Sequence, residues 1–448
     1  MSAPSLLERV GLHRPELRAW AMYDWANSAF MATVVTAVFP IYFPLVAAAE
    51  LDPAVASFRF ASTTFIALSI VAVLAPVLGA IADVAAVKKK MLAVCLALGV
   101  VATACMFFIG RGDWMLAAVL FILANIGATA SFVFYDSLLP HIAGTDEMDR
   151  VSTSGYALGY LGGGVLLVVN LVWILRPEWF GLGSGEAGQA LAMRLSFVSV
   201  AVWWVGFSLP LFRTVPEPAR ALELDEQASA SPIQTALVRL GETLRELRGY
   251  KQAFLMMLAF LVYNDGIGTI IRMATTFGTE IGLEQGDLIT AIMLVQFVGV
   301  PFAFIFGQVA VRIGAKRAIF LSLAVYVGIS ILSYGMTTAA EFYTLAMLVG
   351  MVQGGSQALS RSLFASMVPR HKSSEFFGFF GVFEKFAGIV GPGVFAVMIL
   401  VTGSSRGAIL SIIAFFVVGG ILLARVDVEE GQRVARDAEA DLRTLENV

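Results

Sequence analysis

The sequence is dominated by twelve apolar stretches, each long enough to cross a bilayer as a helix. The hydrocarbon core of a bilayer is about 30 Å thick, and a helix of about 20 residues spans it. A polar segment, residues 214–251, separates six stretches from six. The stretches lie at roughly 20–43, 58–82, 90–109, 114–138, 152–175, 193–213, 252–273, 287–311, 316–336, 341–366, 375–400 and 406–425. The predicted fold is an all-α integral membrane protein with twelve transmembrane helices in two six-helix halves, residues 1–213 and 252–426.

Composition supports this class and excludes others. The chain is 58% hydrophobic and 14% charged, with a mean hydropathy of +0.82, whereas soluble proteins carry about 25% charged residues. A net charge of −3 offers no basic surface for nucleic acid. Cys95 and Cys105 lie ten residues apart, which is not a CxxC spacing, and three scattered histidines form no metal motif. We therefore expect no cofactor, no metal and no nucleic-acid partner.

The distribution of lysine and arginine predicts the orientation. These residues concentrate in segments that share one side of the membrane if both termini are cytoplasmic, as in the Lys88–Lys90 cluster. We expect a multi-pass protein of the bacterial cytoplasmic membrane, as a monomer in the lipid bilayer. Ala47–Ala49 resembles a signal-peptide cleavage site, but the preceding apolar stretch is too long for a signal peptide and contains Asp24 and Asn27. We expect no cleavage there.

Two polar segments adjoin the second half. In residues 214–251, apolar residues recur at helical spacing from Ile233 to Leu247 with arginines between them, which predicts an amphipathic helix on the membrane surface. The segment 427–448 is charged and is predicted to be a frayed helical tail on the cytoplasmic side, without a function.

The two halves repeat at an offset of 228 to 229 residues. Transporters built from six-helix repeats bind their substrate between the halves near mid-membrane. The glycines in the repeat also predict close helix packing. Matching features are Gly79 with Lys88-Lys89 and Gly307 with Lys316-Arg317, Ser137 and Pro140 with Ser366 and Pro369, and Gly159, Gly162 and Gly164 with Gly388, Gly391 and Gly393.

These residues resemble the major facilitator superfamily. Gly79-x-x-x-Asp83 followed by three lysines resembles its signature between helices 2 and 3, and the second-half copy has Val311 in place of the aspartate. Four further segments resemble the branch that includes the autophagy-related vacuolar amino-acid effluxers and their bacterial relatives. They are Tyr23-Asp24-Trp25-Ala26-Asn27-Ser28, Gly155-Tyr156-Ala157-Leu158-Gly159-Tyr160, Tyr263-Asn264-Asp265-Gly266 and Gln357-Ala358-Leu359-Ser360-Arg361-Ser362.

The resemblance implies the major facilitator fold, with helices 1, 4, 7 and 10 around a central cavity. It implies a secondary active transporter that moves amino acids or similar small metabolites by alternating access, and not an enzyme. Two alternatives remain open. One is a transporter of another solute, such as a lipid-like molecule, and the other is a membrane receptor or assembly factor that does not transport.

Candidate substrate-binding residues follow from depth, at a rise of about 1.5 Å per residue. Asp265 lies near mid-membrane, as do Glu384 and Lys385. A zwitterionic amino acid needs an anionic and a cationic partner, and Asp265 and Lys385 are the candidates; the alternative is a fixed structural ion pair between them. Burial favours a protonated carboxyl group, so Asp265 or Glu384 is a candidate for proton coupling. The remaining candidates are Asn27, Ser28, Asn125, Tyr263, Asn264, Gln296, Gln353 and Gln357.

A second charged layer lies nearer the predicted cytoplasmic side. Asp136 and Arg361 come from repeat-equivalent helices of opposite halves, so we predict an ion pair that closes this side and breaks on inward opening. The alternative is two separate snorkelling residues. Asp24, about one turn inside the membrane face, is assigned to the same gate. Asp83 is expected against the positive end of the eleventh helix, with Ser373 or Ser374 as its cap.

Overall fold

The computed structural model describes residues 5–218, 249–280, 282–283, 285–386, 390–402 and 405–446. A short helix, Leu6–Arg9, precedes the bundle. The helices of the first half are α1 (Pro15–Ala47), α2 (Pro53–Ala85), α3 (Lys88–Cys105), α4 (Trp114–Ile142), α5 (Met148–Leu175) and α6 (Gly185–Thr214). Those of the second half are α7 (Lys251–Glu280), α8 (Gln285–Ile313), α9 (Ala315–Gly335), α10 (Ala339–Ala365), α11 (Ser373–Phe386 and Val390–Thr402) and α12 (Ser405–Ser411 and Ile413–Ala424), followed by α13 (Val428–Glu446).

The all-α prediction is confirmed. Ten helices in the described part of the chain are long and apolar enough to cross a membrane. The other two, α10 and α11, differ from these for separate reasons. Helix α10 has 27 residues, but Gln353, Gln357 and Arg361 reduce its hydropathy. Residues 387–389, between the two parts of α11, lie outside the described residues. Twelve spanning helices therefore remain consistent with the structure. The predicted amphipathic helix from Ile233 to Leu247 falls within 219–248, outside the described residues.

Helix α1 is irregular in its second part. Its hydrogen bonding is π-helical over Phe30–Val38 and again over Phe43–Ala47, and the N–H of Phe39 reaches back five residues to the carbonyl of Val34. Prolines have no N–H to donate: Pro40 lies in the α-helical turn between the two π-helical stretches, and Pro44 lies at the start of the second stretch. Hydropathy alone does not predict this widening. Short π-helical segments often occur at functional sites.

The N-terminal segment and α13 lie at the same end of the bundle, which we call the terminal face. Arg150 at the start of α5 donates to the carbonyl of Glu8, 3.2 Å away. Gln432 of α13 donates to the Ser366 hydroxyl, just after the end of α10, at 3.1 Å. Helices α1, α3, α5, α7, α9 and α11 begin at this face, and the even-numbered helices from α2 to α12 end there.

The charged tail differs from the prediction of a frayed helix. Helix α13 is 19 residues long and packs on the terminal face. Its Ala435 is buried, and its Glu439 carboxylate accepts the backbone N–H of Arg370 at 3.0 Å. Gly431 packs against the Met367 side chain. Apolar and charged residues alternate along the tail with a helical period. The apolar side of α13, which includes Ala435, packs against the ends of the bundle helices.

Glycines bring the two halves into contact. A Cβ atom at Gly79 of α2 would lie 2.3 Å from the carbonyl oxygen of Ser374 in α11. Similarly, a Cβ atom at Gly307 of α8 would lie 3.3 Å from the Cβ of Thr153 in α5. Both contacts are near the terminal face. The absence of a side chain lets these backbones approach closely, as the glycine pattern predicts.

Candidate functional site

Arg361 of α10 forms the centre of a charged cluster between the halves. It is four residues from the end of α10 at the terminal face, and its side chain is 3% exposed. Its Nη1 lies 3.0 Å from Oδ1 of Asp136 on α4. The predicted contact between these residues is therefore present. A buried guanidinium needs such partners, because an unpaired charge in this environment is costly.

Asp24 of α1 joins the same cluster. Its Oδ2 lies 3.4 Å from both Nη atoms of Arg361 and accepts the Tyr135 hydroxyl at 2.8 Å. Helix α1 begins at Pro15, five residues before the predicted start of the span. Asp24 is therefore nine residues, about 14 Å, along α1.

Aromatic rings complete the surroundings of the guanidinium, and they were not among the predicted site residues. The Cζ atom of Arg361 lies 4.9 Å from the ring centroid of Trp20, 5.7 Å from that of Tyr135 and 4.6 Å from that of Tyr156. Such distances are typical of cation–π interactions. Tyr156 lies in a segment that carries the family resemblance, and Trp20 lies three residues before another such segment. This position is the sequence feature that could have pointed to them.

Ser152 of α5 provides two further acceptors. Arg361 Nε donates to its hydroxyl at 2.9 Å, and Nη2 donates to its backbone carbonyl at 3.0 Å. The same hydroxyl donates to the carbonyl of Ala358 on α10 at 2.7 Å. One turn away, Ser362 donates to Asp149 of α5 at 2.5 Å. These bonds join α5 of the first half to α10 of the second.

Asp83 forms a second polar link between the halves. Its Oδ2 accepts the backbone N–H of Glu375, 2.8 Å away at the start of α11, so the predicted contact with this helix end is present. Lys88 was not predicted to take part. Its Nζ lies 2.6 Å from Asp83 Oδ1 and donates to the Ser373 hydroxyl at 2.6 Å. His141 Nε2 is 3.0 Å from the same Nζ. The Asp83 carboxylate thus caps α11, whereas the hydroxyls of the predicted caps, Ser373 and Ser374, bond to Ser137.

Several predicted substrate residues lie together deeper in the second half. Asp265 is fourteen residues along the 30-residue α7, and its Oδ2 accepts the N–H of Gly391 at 2.8 Å. Next to it, the Asn264 side-chain oxygen accepts the Gln357 amide of α10 at 3.4 Å. Tyr263 forms a short hydrogen bond with Ser360. The side chains of Lys385 and Glu384 lie outside the described residues.

The other predicted polar residues lie at separate helix contacts. Asn27 is fully buried and donates to the Ser131 hydroxyl of α4 at 3.3 Å. Asn125 donates to a carbonyl of its own helix, that of Phe121, at 3.0 Å. Ser28 packs against α5, where a Cβ atom at Gly159 would lie 2.7 Å from its hydroxyl.

Two glutamines of the same prediction have different surroundings. Gln353 of α10 has a buried Oε1 without a hydrogen-bond partner among the described residues. Gln296 of α8 lies beside Gly164 of α5, at the interface between the halves. The candidate residues of the first half are therefore dispersed, whereas Tyr263, Asn264, Asp265 and Gln357 are neighbours.

Comparison with known proteins decides the family. The profile described as Vacuole effluxer Atg22 like matches residues 45–436. The chain belongs to this family. It is 36% identical over 419 residues to the "Uncharacterized MFS-type transporter YxiO" of Bacillus subtilis (strain 168), an alignment that covers 93% of this chain and 96% of that protein. The Atg22-like chain is thus a major facilitator superfamily transporter and a multi-pass membrane protein, as predicted, and not an enzyme.

Fungal members of the family are more distant. "Autophagy-related protein 22" of Yarrowia lipolytica (strain CLIB 122 / E 150) is 25% identical over 320 residues, which are 65% of this chain and 52% of that protein. The chain therefore aligns with about half the length of this relative.

Solved structures show the same fold. The proton:xylose symporter XylE matches with a TM-score of 0.71 and 12% identity, covering 94% of this chain and 98% of that one. A bacterial homologue of the iron transporter ferroportin, in an outward-facing state, matches with a TM-score of 0.66 and 13% identity, covering 92% and 99%. At these identities the similarity establishes only the fold of the Atg22-like chain.

Proposed function

We propose that this transporter moves amino acids or similar small metabolites by alternating access, and that the Arg361 cluster is its gate on the cytoplasmic side. The observation that supports this most directly is the contact of Arg361, from the second half, with Asp136 and Asp24, from the first half. Separation of the halves at the terminal face breaks these contacts. The closed face then opens to the cytoplasm, where both termini lie in this proposal.

The energetics of a buried ion pair suit a reversible gate. The cost of removing both charges from water offsets much of their attraction, so such a pair adds little net stability. On opening, water replaces the lost partners of Arg361 and of the two carboxylates. The closed and open states therefore differ little in free energy, as a transport cycle requires.

The proposed substrate class rests on the family resemblance and on the second-half cluster. Asp265 offers a carboxylate, while Asn264 and Gln357 offer amide groups beside it. A carboxylate can bind the ammonium group of an amino acid, and the adjacent amides can form hydrogen bonds with its other polar groups. A lipid-like solute would instead need a wide apolar path.

Uptake by purified protein in proteoliposomes tests the proposal. A panel of radiolabelled amino acids is compared with small sugars and lysolipids, in wild type and in Arg361→Ala. We expect uptake of at least one amino acid, reduced at least tenfold by Arg361→Ala and unchanged by Arg433→Ala, whose side chain is exposed on α13. Uptake of lysolipid alone would favour the lipid-like alternative, and uptake of nothing would favour the receptor alternative.

Proton coupling is part of the same proposal and is assigned to Asp265 or Glu384. A carboxyl group between the two sides of the membrane can bind a proton from one side and release it to the other, so a proton gradient can load and unload such a site. In vesicles with an imposed pH gradient, Asp265→Asn is expected to abolish pH-driven uptake while the loop variant Asp113→Asn retains it. Unchanged pH dependence in Asp265→Asn would exclude Asp265 from this role.

A further inference from the structure

Among the described residues, the hydrogen-bond, ion-pair and ring partners of the Arg361 guanidinium all belong to the first half and form a pocket around it. Acceptors and rings on three helices surround it, and each of these helices precedes residue 214. Arg361 itself enters this pocket from the second half, since it lies on α10. The pocket residues are Trp20 and Asp24 of α1, Tyr135 and Asp136 of α4, and Ser152 and Tyr156 of α5.

The pocket offers the two kinds of contact that organic cations prefer. Its carboxylates lie 3.0 and 3.4 Å from the guanidinium nitrogens, and the Ser152 carbonyl lies 3.0 Å from one of them. Three aromatic rings face the cation at 4.6 to 5.7 Å. Carboxylates with aromatic rings recognise guanidinium and ammonium groups of ligands as they recognise arginine.

Bonds within the first half hold one wall of this pocket in place. The indole Nε1 of Trp20 donates to the carbonyl of Tyr135 at 2.9 Å, and the two rings stack at 4.4 Å. The Tyr135 hydroxyl donates to Asp24 at 2.8 Å. None of these bonds involves Arg361 or another residue of the second half.

We propose that this pocket is a substrate subsite for a guanidinium or primary ammonium group, which Arg361 fills while the terminal face is closed. When the halves separate, Arg361 leaves with α10, and a cationic substrate binds where its guanidinium had been. Such a substrate favours the open state, because it binds only that state. The inference rests on the proposed function, since it assumes that the halves separate at this face.

Competition between a cationic ligand and Arg361 for this pocket can be measured as a change in how readily the two halves close at the terminal face. Thr153→Cys and Gly307→Cys, placed in a chain with Cys95→Ser and Cys105→Ser, report on closure of the halves. Their Cβ atoms would be 3.3 Å apart in the closed state, close to the 3.5–4.5 Å typical of a disulfide. We expect agmatine, which carries both cationic groups and no carboxylate, to slow disulfide formation at least fivefold, and leucine to leave it unchanged. Equal effects of agmatine and leucine, or no effect of agmatine, would overturn the subsite.

A matched pair of variants locates the effect in the pocket. Trp20→Leu removes one ring of the pocket, whereas Trp25→Leu removes a ring that stacks on Trp203 of α6 instead. We expect the agmatine concentration for half-maximal slowing to rise at least tenfold in Trp20→Leu and to stay within twofold in Trp25→Leu. A tenfold rise in both would overturn the assignment. Thermal unfolding of each variant checks that it folds.

Failure of the subsite and failure of the transport proposal give different results. Wild-type uptake of neutral amino acids together with no agmatine effect overturns the subsite and leaves the transport proposal standing. An agmatine effect in a protein that moves none of the amino acids overturns the proposed substrates and supports the subsite.

Discussion

Asp83 and Lys88 form a buried ion pair at the turn between α2 and α3, with 2.6 Å between Oδ1 and Nζ. Their side chains are 0% and 4% exposed. Both also bond to the start of α11, Asp83 to the Glu375 N–H and Lys88 to the Ser373 hydroxyl. A pair within the first half thus holds a helix of the second half at the terminal face.

Removal of one partner of this pair is expected to destabilise the protein. Asp83→Ala leaves the Lys88 ammonium buried without its carboxylate, which costs about 3–5 kcal/mol in comparable pairs. Adding Lys88→Met should recover more than half of that loss, because no unpaired charge remains. Thermal unfolding in detergent measures both. A double variant as unstable as the sum of the two single variants would contradict the coupling.

Gly155 of α5 is expected to be essential for closure of the gate. A Cβ atom there would lie 2.5 Å from Asp24 Oδ2 and 3.2 Å from Arg361 Nη2. Gly155→Ala therefore displaces both charges, at an overpacking cost of about 1–3 kcal/mol. We expect slower disulfide formation between cysteines at positions 153 and 307. Gly206→Ala, where no atom lies within 4 Å, is the control, and an equal effect there would refute the role of Gly155.

The approach of α7 to α11 is expected to depend on Gly391. A Cβ atom at this position would lie 1.9 Å from Thr269 Oγ1, next to the hydrogen bond between the Gly391 N–H and Asp265. Gly391→Ala should lower the thermal stability and the uptake rate, and Thr269→Ala should restore part of each by removing the hydroxyl. On the same helix, Gly393→Ala meets no atom within 4 Å and should change neither. Failure of Thr269→Ala to restore either property would point to a different cause.

Docking of α13 is expected to depend on two polar contacts. Gln432 donates to Ser366, and Glu439 accepts the Arg370 N–H. The double variant Gln432→Ala/Glu439→Ala should weaken docking by about 1–2 kcal/mol. Amide hydrogen exchange of α13 should then be about tenfold faster or more, with Arg433→Ala unchanged. Equal exchange rates in wild type and the double variant would show that apolar contacts alone hold the helix.

The fold was predictable because a bilayer leaves few choices. A chain in hydrocarbon must satisfy its backbone hydrogen bonds internally, so each apolar stretch becomes a helix. The tenth stretch, predicted at 341–366, is α10, Ala339–Ala365. The first stretch was predicted to begin at residue 20, five residues after the observed start of α1 at Pro15. The first turn of α1 contains the charged residues Glu16 and Arg18, which hydropathy does not assign to an apolar stretch. Hydropathy detects apolar residues, whereas proline at the first position marks where a helix can begin.

The site was predictable where the repeat or the positive end of a helix constrained it. Repeat-equivalent helices in opposite halves indicated that Asp136 and Arg361 would meet. Nothing comparable indicated that Lys88 would join Asp83, or that α13 would pack on the bundle, since both depend on how helix ends are arranged in space. The predicted gating and substrate roles remain proposals.

The sequence by itself determined the helices, their division into two halves and the family, because these follow from local hydropathy, repeated spacing and short motifs. Only the tertiary structure decided that Trp20, Tyr135 and Tyr156 surround Arg361 and that Asp24 reaches it. Residues from three helices, α1, α4 and α5, converge on that guanidinium, which α10 carries. Which side chains meet there depends on the rotation, depth and crossing of each helix, and these are set by packing between helices that are distant in the sequence.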